Sequence, residues 1–200
     1  MLHDVPTLVQ LLKTLQQVPY LASKNLYRVA DYFLHMDEQK MRHFCATVSQ
    51  LQEKLSQCSR CFWWQERGAP CSFCTAPMRD QTTVCVIESW HEVLVLEKVQ
   101  GYKGVYHVLG GVISPLEGVG PQDLTIAPLL QRVREHTVQE IIFATSQTPE
   151  GEATAAYIAR LLRQEPIKIS CLARGLPVGS ALGTMDPLTV YKALSERRPY

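Results

Sequence analysis

Four cysteines give the sequence its strongest chemical signal. Cys58-Ser-Arg-Cys61 and Cys71-Ser-Phe-Cys74 form two CxxC knuckles separated by nine residues. A two-residue spacing turns the chain tightly enough to aim both sulfurs at one point, and Gly68 and Pro70 help the intervening loop reverse direction. Two such knuckles let four thiolates converge tetrahedrally on one zinc ion, and this reading is favoured over disulfides or free thiols. With every coordination position filled by protein, the metal is expected to be structural, one ion per chain. The other cysteines, Cys45, Cys85 and Cys171, sit in apolar patterns and are expected to be buried, inert thiols. Trp63 and Trp64, between the knuckles, are expected to supply a small core around the metal rather than to stack on bases.

Carboxylates form the second candidate group. Glu88 follows the apolar run VCVI at 84–87, and Glu150-Gly-Glu152 follows IIFATS at 141–146. In open α/β sheets the carboxyl ends of strands line the site crevice, so these acids could converge there and, with a divalent ion, suit phosphoryl transfer on DNA. The alternative is that Glu150 and Glu152 are first-turn helix residues favoured by the helix dipole. Spacing alone leaves both open. Gly118-Val-Gly120-Pro resembles part of a dinucleotide fingerprint, but Asp123 replaces the third glycine, so a surface loop is expected. His91, His107 and His136 carry no partner motif and are assigned no role.

The elements that must position these groups can be read from periodicity. Residues 1–57 read as three helices. The first is expected to begin with a Thr7/Gln10 capping box ahead of Leu8, Leu11, Leu12 and Leu15. The second is capped by Ser23 and carries Leu26, Val29, Ala30 and Phe33. The third follows Asp37, with Met41, Phe44, Cys45, Val48, Leu51 and Leu55 as a stripe expected to bury against the others. Residues 58–80 turn to Cys, Trp, Gly and Pro and are too short to build an apolar core unaided. From Thr83 strands and helices alternate: strands at 84–87, 105–109, 141–144 and 167–170, and helices after Ser89 (a capping box with Glu92), near 128–136 and through Tyr157 and Leu162. That alternation predicts a mostly parallel sheet with right-handed crossovers. Asp186-Pro187 caps a last helix.

Composition sets outer bounds. The chain has 200 residues, 46% of them hydrophobic, with twenty basic against nineteen acidic side chains and a net charge of +1. Mean hydropathy is -0.06 and the pI is near 7.6. No stretch approaches the roughly 20 apolar residues of a membrane span. The opening MLHDVPTLVQLLKTL reads as an amphipathic helix and not a signal peptide, so a cytoplasmic location is expected. The near-neutral balance argues against a free-standing nucleic-acid binder. Any nucleic-acid contact must come from local patches or from a ring around the strand.

Several runs together resemble one family, the bacterial recombination mediators of the RecR type. They are the CxxC pair, VCVIES at 84–89, YKGVYHVLGGVISPLEGVGPQDL at 102–124, ATSQTPEGEATAAYIARLL at 144–162 and ARGLPVGSAL at 173–182. The resemblance implies a multi-module α/β protein: a helix-hairpin-helix-like module (1–57), a four-cysteine zinc finger (58–80), a Rossmann-like Toprim domain (81–176) and a C-terminal helical oligomerisation segment (177–200). It further implies a nucleoid-associated, homotetrameric ring that clamps DNA at single-strand gaps and acts with RecO and RecF in loading RecA, rather than an enzyme.

Two departures qualify that picture. The family hairpin usually reads PGxGPKxAxR, whereas here both glycines are replaced, by Tyr20 and Ala22, which should hinder backbone approach to phosphate. Lys24 and Arg28 match the family's basic positions and remain the candidate DNA contacts. In the Toprim site, Glu88 is present, but Ser146 and Thr148 stand where catalytic relatives carry aspartates, leaving Glu150 and Glu152. A serine and a threonine cannot supply the charge a hard cation needs. No nuclease, topoisomerase or primase chemistry is therefore expected, and Glu88, Glu150 and Glu152 read as a vestigial site or a docking surface for a basic partner such as RecO. The competing expectation is a magnesium-dependent Toprim phosphotransferase acting on DNA. Changes around Ala181 and Gly183 weaken any nucleotide-binding reading of the C-terminal segment.

Overall fold

A computed structural model describes residues 4–135, 137–173 and 175–197. The extreme residues of the first and last expected modules, 1–3 and 198–200, lie outside it, as does His136. The chain divides into two compact units, one ending at Lys54 and the other starting at Leu55.

The first unit holds α1 (Pro6–Gln16), α2 (Ser23–Leu34) and α3 (Glu38–Lys54). Two expected caps differ. Helix α1 starts on Pro6 behind Val5, so Thr7 already lies inside the first turn. Proline's fixed φ is preorganised for the first helical position, where its missing N–H costs nothing. Ser23 is itself the first helical residue of α2, with Ala22 in the cap position. Asp37 does cap α3, its Oδ1 accepting the Lys40 N–H at 2.9 Å. Leu26 and Ala30 of α2 are buried. The α3 stripe is not. None of its residues is buried, and Phe44, Val48, Leu51 and Cys45 are exposed. Helices α1 and α2 pack on each other, and the Phe33 and Phe44 rings meet at 5.3 Å, tilted by 52°, but Phe44, Val48 and Leu51 of the stripe stay exposed among the described residues.

The second unit opens with β1 (Leu55–Gln57), paired antiparallel with β2 (Trp64–Glu66) around the first knuckle. Then come β3 (Asp80–Ile87), α4 (Trp90–Lys98), β4 (Gly104–Val108), α5 (Ile126–Arg134), β5 (Glu140–Phe143), α6 (Pro149–Leu161), β6 (Lys168–Cys171) and α7 (Pro187–Ser195). The four long-range strands form one parallel sheet in the order β4-β3-β5-β6. The period-two alternation of side chains separates two cores. Val84, Val86, Val105, Ile141 and Phe143 pack with Leu129 and Val133 of α5 and Ile158 and Leu162 of α6. Cys85, Ile87, Tyr106 and Val108 pack with Val93 of α4 and with Cys58, Cys61, Cys71 and Phe73. The cysteine segment thus borrows the sheet as its core. Cys85 is buried as expected, whereas Cys171, at the end of edge strand β6, is exposed. The run at 118–120 is a surface loop between two short turns of 3-10 helix, Pro115–Glu117 and Pro121–Asp123. Among the described residues, no helix is long and apolar enough to cross a membrane.

Candidate metal centre and carboxylate site

Backbone hydrogen bonds shape each knuckle before any metal is considered. In the first, the Phe62 N–H donates to the Cys58 carbonyl at 2.9 Å and the Cys58 N–H to the Trp63 carbonyl at 2.8 Å, with Phe62 at φ +61°. In the second, the Cys74 N–H points at Cys71 Sγ (3.5 Å) and the Thr75 hydroxyl donates to the Cys71 carbonyl at 2.7 Å. The four sulfurs lie within 4.8 Å of one another. Two of the separations are 3.9 Å, between Cys58 and Cys74, and 3.5 Å, between Cys61 and Cys71. Zinc bound at 2.3 Å to four tetrahedral sulfurs requires S···S distances of about 3.8 Å, which these two values bracket. The four cysteines are positioned to bind a metal ion, and an all-thiolate donor set suits zinc.

Proton affinity within the cluster is divided unevenly. Cys74 is held down to about 6, mainly by the hydrogen bond its sulfur accepts from Cys61, with the Arg132 charge adding to the effect. Cys61 is pushed above its ordinary value as that donor and by burial, and burial also raises Cys71. The hydrogen bond from Cys61 and the Arg132 charge both favour the thiolate form at Cys74, the form that ligates metal.

Aromatic and edge contacts fix the centre to the sheet. Trp63 meets Phe73 edge-on at 5.3 Å and Trp90 at 6.5 Å, and Phe73 meets Tyr106 at 5.0 Å. Trp64, on β2, is 41% exposed and outside this packing. Arg79 grips Glu97 through both guanidinium nitrogens (2.9 and 2.5 Å) while lying over the Phe73 ring; Glu97 is lowered in consequence. On β4, an edge strand, the Val108 N–H donates to the Cys61 carbonyl at 2.9 Å. The Tyr106 carbonyl accepts from Arg132 at 3.0 Å. His107 is fully buried and pushed down to about 4 by that burial. Its Nε2 lies 2.9 Å from the Thr125 carbonyl, which can only accept, so the proton sits on Nε2.

The carboxylate site lies where β3 and β5 end. Glu88 Oε1 accepts from the Ser146 N–H at 2.5 Å and from the Ser146 hydroxyl at 2.6 Å. Ser146 in turn lies 2.9 Å from the Thr148 hydroxyl, which accepts the Gly151 N–H at 3.2 Å and caps α6. Glu150 and Glu152 occupy the first turn of α6, and Glu152 takes the Lys192 ammonium of α7 at 2.8 Å. Glu92 closes the expected box at the start of α4, its Oε2 accepting the Ser89 N–H at 3.1 Å. Among the described residues, the cysteines form the one group of three or more potential metal ligands drawn together, so the three glutamates do not converge as such a group.

Several residues here escaped the sequence reading. Thr154, fully buried, accepts the Ile113 N–H at 2.8 Å and donates to the Glu150 carbonyl at 2.7 Å. Arg132, at 2% exposure, is a lone cation between Leu129 and Val133 on the apolar face of α5; that placement was its visible signal. In the first unit Lys24 and Arg28 are exposed one helical turn apart on α2. Tyr20 adopts φ +64°, the left-handed conformation glycine would take without strain, while Ala22 at φ -58° needs no glycine.

A parallel sheet flanked by helices, with a glutamate ending its first strand and a hydroxyl-bearing and acidic run following its third, defines a Toprim-like α/β domain. Comparison with family models agrees: residues 82–173 match the Toprim domain. The cysteine segment and the first helical unit precede the matched stretch.

Proposed function

We propose that this protein is a recombinational DNA-repair mediator of the RecR type: a zinc-stabilised, oligomeric DNA clamp or adaptor that acts with RecO and RecF to load RecA at single-strand gaps, and not an enzyme. Toprim domains serve both catalytic and non-catalytic proteins, so the case for adaptor over enzyme rests on the site itself. The carrying observation is the bonding of Glu88. Its Oε1 is taken up by the Ser146 amide and hydroxyl, and the neighbouring Thr148 hydroxyl caps a helix. Neither residue brings the negative charge with which carboxylates hold magnesium. The four-cysteine module packed on the same sheet supports the RecR-type reading, as do the exposed Lys24 and Arg28.

The test is fluorescence anisotropy of a labelled gapped duplex titrated with the protein, with and without RecO, at two salt concentrations. Binding that weakens steeply with salt and is lost in the Lys24→Ala/Arg28→Ala variant is expected for phosphate contacts from α2. Binding seen only with RecO would assign the DNA contact to the partner. Magnesium-dependent nicking of the duplex that disappears in Glu88→Gln would overturn the proposal in favour of phosphotransfer.

A further inference from the structure

Arg132 poses an electrostatic problem that the packing alone does not solve. Its guanidinium is almost completely buried, and arginine keeps its charge even there. One nitrogen donates to the Tyr106 carbonyl, whereas Nε and the second terminal nitrogen are buried with no hydrogen-bond partner. No carboxylate pairs with it among the described residues; the charged or ionisable groups it senses are Cys74, Cys61, Cys58 and the like-charged Arg60. Arg60 lies inside the first knuckle, and its own Nε is also buried without a partner. Two guanidinium groups with unused donors are thus gathered beside the sulfur cluster. A buried, unpaired cation is costly, so the arrangement requires an anion.

The metal centre supplies one. A divalent ion held by four thiolates carries two net negative charges, and buried thiolate sulfurs accept hydrogen bonds from surrounding donors. We propose that Arg132 is the charge partner of the four-cysteine metal centre, a positioning residue carried by α5 of the Toprim-like sheet that stabilises the loaded site and ties it to that sheet. The inference rests on the metal-binding reading of the cysteines and is independent of the DNA-binding reading.

A purely structural arginine and a charge partner make opposite predictions for the metal-free protein. As charge partner, Arg132 stabilises the zinc-loaded form and burdens the stripped form. In Arg132→Met, competition with a chromophoric chelator should show zinc affinity reduced by roughly 10-fold to 100-fold. The chelator-stripped variant should melt no lower than stripped wild type, so the gap between loaded and stripped melting temperatures narrows. Arg132→Lys, which keeps the charge, should lose less affinity than the methionine variant. If Arg132→Met does not accumulate folded, Arg132→Gln, still able to donate to the Tyr106 carbonyl, should read the same loss. Unchanged zinc affinity, or an equal drop in melting temperature with and without metal, would overturn the proposal. Wild-type protein that retains no zinc would instead overturn the metal reading on which it stands.

Discussion

At the scale of single residues, Gly151 shows how tightly the carboxylate site is drawn. It lies in the first turn of α6, and a Cβ there would run into the Ser146 carbonyl and hydroxyl and reach within 2.9 Å of Glu88 Oε1. One neighbour is backbone and the others are the hydrogen-bonded pair itself, so accommodation must separate Ser146 from Glu88. Gly151→Ala is expected to cost about 1–3 kcal/mol, the usual range for overpacking a close contact. Gly183→Ala, which meets only open space, should be near neutral. Chemical denaturation of both variants checks this, and a Gly151→Ala protein as stable as wild type would refute the close fit. What was legible at this scale followed from locality. Two CxxC pairs declare their chemistry within a few residues, and a glutamate after an apolar run marks a strand end. Arg132, Thr154 and Lys192 act across 26, 41 and 40 residues of sequence respectively, so no local pattern announces their partners.

Among the elements, the cysteine segment has the least independent means of support. Its β1–β2 pair is three residues long on each side, and its buried side chains share a core with Ile87, Tyr106 and Val108 of the sheet. Metal binding and ordering of such a segment are coupled. The chain's three tryptophans report on it directly: Trp63 and Trp90 are packed together beside Phe73, and Trp64 is on β2. Stripping the metal, or replacing Cys61 by serine, is therefore expected to shift tryptophan emission to longer wavelength while far-UV helicity is largely kept. The helices of the first unit and α5 and α6 draw their support elsewhere. Emission unchanged after chelation confirmed by metal analysis would show that the segment orders without an ion. The alternation of strands and helices after Thr83 was legible because each core strand is a short apolar run bounded by helix starts. The caps of α1 and α2 were not, because Pro6 and Ala22 take positions that favourable sequence signals placed at Thr7 and Ser23.

For the whole molecule, the unspent apolar surface matters most. Phe44, Val48 and Leu51 of α3 form an exposed stripe, and Val178, Leu182, Leu188, Tyr191 and Leu194 are exposed around and on α7. A helical stripe of this regularity is written into the sequence, but periodicity shows which residues share a face and not whether that face is buried within the chain. Exposed apolar patches on a folded chain often mark interaction surfaces, and the ring proposed above would require contacts between copies. Light scattering is expected to give a multiple of the 22.6 kDa chain mass at micromolar concentration, a tetramer in the proposed ring. Placing charge on α7 with Leu188→Glu and Leu194→Glu should reduce that mass without removing zinc or helicity, because neither side chain contributes to the buried core. The same change should weaken binding to gapped DNA far more than the loss of any one surface charge, since a clamp holds through closure as well as through contacts. A wild-type protein that stays monomeric, or a double variant that keeps the full assembled mass, would remove the ring from the proposed mechanism.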